Sequence, residues 1–220
     1  MLLTYKKKYL ILKRKKKGDY DEMEHIILAS QSPRRRELLS KIYDSFEVIT
    51  SDADESLPDG VHPSRGVEIL AVRKGAAVAE AHNDAIVISS DTLVELGGEP
   101  LGKPVSADDA HRMLTMLSGN YHNVHTGVAV HYRGRVRSGV ASSCVKFKTI
   151  TDDEIYAYIA GGEPMDKAGA YAIQGEGGKF IEGYDGDFDT IMGLSVSLTE
   201  KLIREITSDN DQEGEKRASV

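Results

Sequence analysis

The chain has 220 residues, with 28 Lys and Arg against 35 Asp and Glu, a formal net charge of −7 and 40% hydrophobic residues. That length suits one domain with a sizeable core. The single cysteine, Cys144, excludes a disulfide framework and a cysteine zinc cluster and suits a reducing, cytoplasmic setting. No run of about 18 apolar residues is present to span a membrane, and the absence of Trp together with the acidic balance argues against a stable nucleic-acid partner.

The charge is uneven. Residues 1–22 hold eight cations and three carboxylates, a net +5, which leaves −12 for the remainder. Such a block can contact nucleic acid or anionic lipid, but its composition predicts a disordered extension. Its apolar stretch, Tyr9 to Leu12, is too short for a secretory signal and is followed by more lysines. Met23 directly precedes a strand-like run and is a candidate start. The folded domain is expected over 23–207, with a polar, frayed tail from Ser208.

In chain order, His25 to Ala29 predicts a short buried strand. Ser32 as N-cap and Pro33 at the first helical position predict a helix through Arg34 to Tyr43. Phe46 to Ile49 reads as a strand, followed by an acidic loop at Asp52-Ala53-Asp54-Glu55. Pro63 to about His82 has Val67, Leu70, Ala71, Lys74 and Val78 at helical spacing. Ala85 to Ser89 is a continuous apolar strand expected to end at Ser90-Asp91-Thr92. Leu93 to Leu96 and Glu99 to Leu101 read as a hairpin around Gly97-Gly98.

Further along, Ser106 caps a helix to Leu117, with Asp109 at the capping-box position. Val124 to Tyr132 and Arg135 to Phe147 read as two long strands. Thr151-Asp152-Asp153-Glu154 is a full capping box for a helix through Ile159, which Gly161 ends. A Gly-rich stretch spans Gly169 to Gly186, and Ser197 to Ile206 reads as the last helix. Alternating strands and helices followed by adjacent strands predict an α/β fold with a mixed sheet.

Chemistry has several candidate sites. At Ser30-Gln31-Ser32-Pro33-Arg34-Arg35-Arg36, cations sit in the first turn of a helix, where the dipole disfavours them. A bound anion removes that conflict, and arginine's planar donors suit phosphate. A solvated basic face explains the same residues equally well. Asp91, expected at the C-terminal end of a buried strand, lies where open α/β sheets place ligands. It can hold a metal or accept a proton from water, although an Asx turn is the simpler account of an isolated Asp.

Gly97 to Pro104 nearly fits a phosphate loop, but Pro104 replaces the Ser/Thr that would ligate Mg²⁺, so a true P-loop is rejected. Lys103 still qualifies as a point charge for a phosphate. The acidic loop with Asp91 can bring Mg²⁺ to an Arg- and Lys-rich site. His122 and His125 are three apart in an extended segment and face opposite sides, which makes a poor metal pair. Cys144 reads as a buried structural thiol. Asp166 to Gly175 joins a charge pair, small residues and the Gln174 amide, a pattern that fits either a flat ligand's edge or a tight structural loop.

Taken in order, these segments closely resemble the Maf family of nucleoside triphosphate pyrophosphatases. The matching stretches are Ile27 to Leu39, Asp91-Thr92, Leu101 to Pro104, Leu117-Ser118-Gly119, Thr126-Gly127-Val128 and Asp166 to Gly175, closed by Tyr184 and Met192-Gly193-Leu194. The resemblance covers residues 25 to about 205. It implies an elongated, two-lobed α/β domain with a central cleft, often a homodimer. The implied reaction is hydrolysis between the α and β phosphates, with a divalent cation, Mg²⁺ or Mn²⁺, as cofactor.

Arg34-Arg35 and the Asp166 to Gly175 stretch are similar to the branch acting on dTTP and UTP. Carried over residue by residue, Asp91 matches the proton acceptor. Arg34, Thr92 and Gln174 match specificity positions. Ser30, Arg35, Lys74 and Lys103 match polar cleft residues, and Glu55 matches an acidic one, a metal ligand alongside Asp91. Ala172 stands where many members have Gly and Ser195 where many have Pro, departures that bear on fine substrate preference. Two rival readings stay open: a nucleotidyltransferase attacking the same phosphorus, and a nucleotide-sensing regulator of cell division that binds without turnover.

Overall fold

A computed structural model of the chain describes residues 25–218, with side chains described to Ser208. The basic extension over 1–22 and the candidate start at Met23 lie outside the described residues. A seven-stranded mixed sheet runs in the order β2-β1-β3-β5-β6-β7, with β4 paired to β3. The strands are β1 (Ile26–Leu28), β2 (Glu47–Val48), β3 (Ile86–Leu96), β4 (Glu99–Leu101), β5 (Tyr121–Tyr132), β6 (Arg135–Phe147) and β7 (Ile181–Asp185). β1 is parallel to both β2 and β3, and every other pairing is antiparallel. The helices are α1 (Pro33–Leu39), α2 (Pro63–Ala79), α3 (Ala107–Leu117), α4 (Asp152–Ala160), α5 (Phe188–Met192) and α6 (Val196–Ala218). Among the described residues, none of these helices is long and apolar enough to cross a membrane.

The helix starts follow from their caps. The Ser32 hydroxyl accepts from Arg35 N, Ser106 from Asp109 N, and Thr151 with Glu154 closes a reciprocal capping box. α1 stops at Leu39, shorter than the expected run to Tyr43, and Ser40 begins its closing turns. α6 runs in the other direction, past the expected end at Ile206 to Ala218.

Along β1 and the first half of β3 the sheet is buried on both faces, as parallel pairing around β1 demands. Two-residue alternation sends Ile26, Leu28, Ile86 and Ile88 into one cluster with Leu38, Leu194 and Ile203. Ile27 and Val87 go to the opposite face, against Val78 of α2. A third cluster, around Leu114, Phe147, Ile155, Tyr171 and Phe180, packs α3 and α4 against the far end of β3.

α2 lies unusually close to the sheet because glycine opens the way. A Cβ built at Gly127 on β5 would overlap Val67 O and sit 2.7 Å from Glu68 N. At Gly75 on α2 it would sit 2.5 Å from both Ser89 Oγ and His131 Cδ2. The apolar period that buries Val67, Leu70, Ala71 and Val78 also turns Lys74 toward the sheet.

β3 corrects one expectation. It does not end at Ser90-Asp91-Thr92 but continues to Leu96, because β5 pairs with it without a break from Val87 to Glu95. Asp91 is therefore mid-strand. The other edge of β3 is different: β1 pairs only with Ile86 to Ile88, and β4 only with Val94 to Leu96. Between them is a gap in the sheet, where, among the described residues, no strand lies beside the edge of β3 around Asp91.

On the α2 face, toward the N-terminal end of that helix, a buried polar array includes Glu95. Its carboxylate accepts from Asn123 Nδ2 (3.0 Å) and Gly98 N (2.6 Å), and pairs with His125 Nε2 (3.1 Å). His125 Nδ1 lies 2.7 Å from Ser142 Oγ, so the proton is assigned to Nε2 and the serine donates. His122 points to the opposite face, 2.8 Å from Tyr171 Oη, as the spacing predicts. Cys144 is free and half-buried.

The bonds from Asn123, His125 and Gly98 outweigh desolvation and hold the Glu95 carboxyl at about 2, below its ordinary 4.5. A depressed carboxylate stabilises the fold fully above about 4.5, and that stability is lost as pH falls through about 2. Glu95→Gln turns an amide toward three donors and is expected to cost about 1–3 kcal/mol at pH 7. Urea midpoints at pH 7, 5 and 3 should show the wild-type advantage narrowing at the lowest value. An advantage constant with pH would contradict it.

Candidate active site in the gap of the sheet

The gap opens into a cavity of about 880 Å³. The end of β1 supplies Ala29 and Ser30, α1 supplies Arg34 and Arg35, and β3 supplies Asp91 and Thr92. Glu55 from the acidic loop, Lys74 from α2, Lys103 after β4, and Asp166 and Lys167 complete its charged wall. Eight of the nine residues singled out from the sequence thus share one space. The ninth, Gln174, does not line it. It is exposed, and its amide donates to Glu37 Oε1 of α1 at 3.4 Å.

Lys74 organises the acidic side. Its ammonium meets Asp91 Oδ1 at 2.6 Å and Glu55 Oε1 at 2.8 Å, with the lysine and aspartate side chains both 13% exposed. The bond from Lys74 overcomes desolvation and lowers the Glu55 pKa, helped by Lys103 and Arg35. Because Lys74 is fixed by the flat seating of α2, the position of the Asp91 carboxylate depends on that contact.

The two arginines differ. Arg35 turns inward: Nε donates to Gly193 O (3.0 Å), Nη1 to Ser30 Oγ (3.2 Å) and Nη2 reaches Thr92 Oγ1 (3.5 Å). Desolvation lowers its pKa, opposed by the attraction of Asp91. Gly193 O also accepts from Ser90 Oγ at 2.8 Å, and Thr92 Oγ1 is 2.9 Å from Thr126 Oγ1, which donates to Thr190 O. Arg35 therefore bolts the α5–α6 corner to β3 as well as facing the cavity. Arg34 and Lys103 have no hydrogen-bond or ion-pair partner among the described residues and keep their donors for a ligand.

Sequence reasoning left Asp166 and Lys167 without a role. They pair with each other, and the Lys167 bond, with help from Arg34, draws the Asp166 carboxyl down against desolvation. Adjacent opposite charges before a run of small residues was the signal available. Together the cavity holds five cations, Arg34, Arg35, Lys74, Lys103 and Lys167, against the three carboxylates Glu55, Asp91 and Asp166. In a chain of net charge −7, that local excess suits a polyanion.

Among the described residues, no group of three or more His, Cys, Asp or Glu side chains forms a self-sufficient metal cage. Asp91 and Glu55 instead converge on a single ammonium, which is the donor set of a hard divalent cation that takes one or two carboxylates and completes its shell with phosphate oxygens and water. The residues present fit such an ion.

The chain matches the family model described as Maf-like protein over residues 25–206. It is 44% identical over 184 residues to a dTTP/UTP pyrophosphatase of Pelotomaculum thermopropionicum, covering 83% of this chain and 96% of that one. It is 46% identical over 183 residues to a dTTP/UTP pyrophosphatase of Moorella thermoacetica, covering 82% and 94%. Among solved structures, a HAM1 protein from Coxiella burnetii aligns over 81% of this chain and all of that one, with 15% identity and a TM-score of 0.42. A family match across the whole folded body, with curated relatives above 40% identity, settles the relationship: the chain belongs to the Maf family.

Proposed function

We propose that this protein hydrolyses nucleoside triphosphates, dTTP and UTP foremost, to the monophosphate and pyrophosphate. The observation that carries the reading is the convergence of Arg34, Lys74, Lys103 and Lys167 on one cavity that also holds Asp91. The names of the relatives support the pyrimidine substrates.

Arg34, Lys103 and Lys167 hold the triphosphate. Asp91, steadied by Lys74, orients a water and takes its proton as the oxygen attacks the α phosphorus. The bond from that phosphorus to the bridging oxygen breaks, and pyrophosphate leaves with the electron pair, its charge balanced by the cations. A divalent cation held by Asp91 and Glu55 would supply further charge neutralisation on the phosphate oxygens. Clearing non-standard nucleotides is the cellular role this activity suits.

A panel of nucleoside triphosphates, assayed for pyrophosphate with Mg²⁺, Mn²⁺ or EDTA, tests the reading. Pyrophosphate with free monophosphate from dTTP and UTP, lost in EDTA, is expected. Turnover confined to purines, or undiminished by EDTA, would overturn the substrate or metal assignment respectively.

A further inference from the structure

Resting on that reading of the cavity, we propose that Glu163 is a positioning residue: its carboxylate clamps the segment 163–177 into the wall that receives the nucleotide, and so controls nucleotide affinity and base preference. Glu163 opens a short 3-10 turn, Glu163–Asp166, directly after α4. Thirteen residues later the chain returns to it at another 3-10 turn, Glu176–Phe180. Between these points lie Asp166, Lys167, Ala168, Tyr171, Ala172 and Ile173, all lining the cavity. One residue beyond Ile173 comes Gln174.

The carboxylate is the contact that draws the two ends together. Glu163 Oε2 accepts from Glu176 N at 2.9 Å, and Oε1 accepts from Gly177 N at 3.1 Å and from Tyr158 Oη at 2.7 Å. Three donors on one carboxylate make a rigid, charge-assisted knot. Tyr158 is 4% exposed in the α4 cluster, so the knot is anchored to the core and not to another loop. Desolvation resists ionisation, but Tyr158, the two amides and the nearby Lys167 outweigh it and keep the Glu163 pKa low.

The backbone is shaped around this group. A Cβ at Gly175 would overlap the carboxylate of Glu163, and one at Gly177 would sit 2.6 Å from Tyr158 Oη. The close approach leaves no slack through which the wall could drift while the knot persists. Glu163 itself does not line the cavity, so it acts through Lys167 on the phosphate side and through Tyr171, Ala172 and Ile173 on the base side.

Glu163→Gln and, independently, Gly175→Ala test this. The first puts an amide against two backbone donors; the second pushes on the carboxylate without removing it. Both variants should keep the wild-type far-ultraviolet circular dichroism and a cooperative melt. Each should raise KM for dTTP about tenfold while kcat stays within about threefold, the signature of a displaced binding wall with Asp91 untouched. The ratio of kcat/KM for pyrimidine over purine triphosphates should fall in parallel, and Glu163→Asp should recover part of it. Hydrogen exchange at the Glu176 and Gly177 amides should quicken in Glu163→Gln.

Unchanged KM and base ratio in folded Glu163→Gln, with wild type active, overturns the inference alone. So does an equal loss of kcat with KM constant. Wild type that releases no pyrophosphate from any nucleotide overturns the reading on which it rests.

Discussion

Replacing Asp91 with Asn is expected to lower pyrophosphate release from dTTP by about 10²–10⁴-fold, the range for loss of a positioned general base. Nucleotide affinity should stay within a few-fold of wild type, because Arg34, Lys103 and Lys167 reach the cavity from other elements. The substitution is nearly isosteric, and an Asn carbonyl can still accept from Lys74, which meets Asp91 Oδ1 at 2.6 Å. Steady-state turnover and calorimetric binding of a non-hydrolysable analogue separate the two effects. Near-normal turnover would remove Asp91 from the chemistry.

The second large effect is expected far from any reacting atom. Gly127→Ala forces a methyl into the main chain of α2 at Val67 and Glu68, where no side-chain rotation gives relief. A loss of about 3 kcal/mol is expected, at the upper end for overpacking, read as a lower denaturant midpoint at unchanged slope. Turnover should fall with it, since a lifted α2 withdraws Lys74 from Asp91 and Glu55. Gly183→Ala is the control: a Cβ there meets nothing within 4 Å, and stability should move by less than about 0.5 kcal/mol. Equal midpoints for the two variants would show that the flat seating of α2 is not what holds Lys74.

Much of this architecture is legible because local chemistry decides it. Ser32, Ser106 and Thr151 announce helix starts that the structure keeps, since a hydroxyl three residues before a free amide leaves few alternatives. The two strands flanking Arg133-Gly134 and the opposite facing of His122 and His125 follow from two-residue alternation. The unbroken run of β3 through Asp91 was not legible, because it depends on pairing with β5, about 30 residues away. α1 closes early at Ser40, whose hydroxyl donates back to Glu37 O at 2.6 Å.

The site divides in the same way. Arg34 and Lys103 are legible from their residue type and flanking turns, and Asp91 from its residue type on an apolar strand. Glu163 is not, because it does not line the cavity and two of its three partners are main-chain amides thirteen and fourteen residues on, which have no letter in the sequence. Gln174 shows the converse: its amide promised a base contact, yet the chain turns it outward to Glu37.

The interrupted edge of β3 has one more result. Ile88 O faces β1, accepting from Ala29 N at 2.8 Å, and alternation therefore aims the peptide groups of Ser90 and Thr92 at the same side, into the opening. They are main-chain donors and acceptors, which substitutions other than proline leave in place. A chain stripped of every cavity cation should therefore still present polar main-chain groups along this seam.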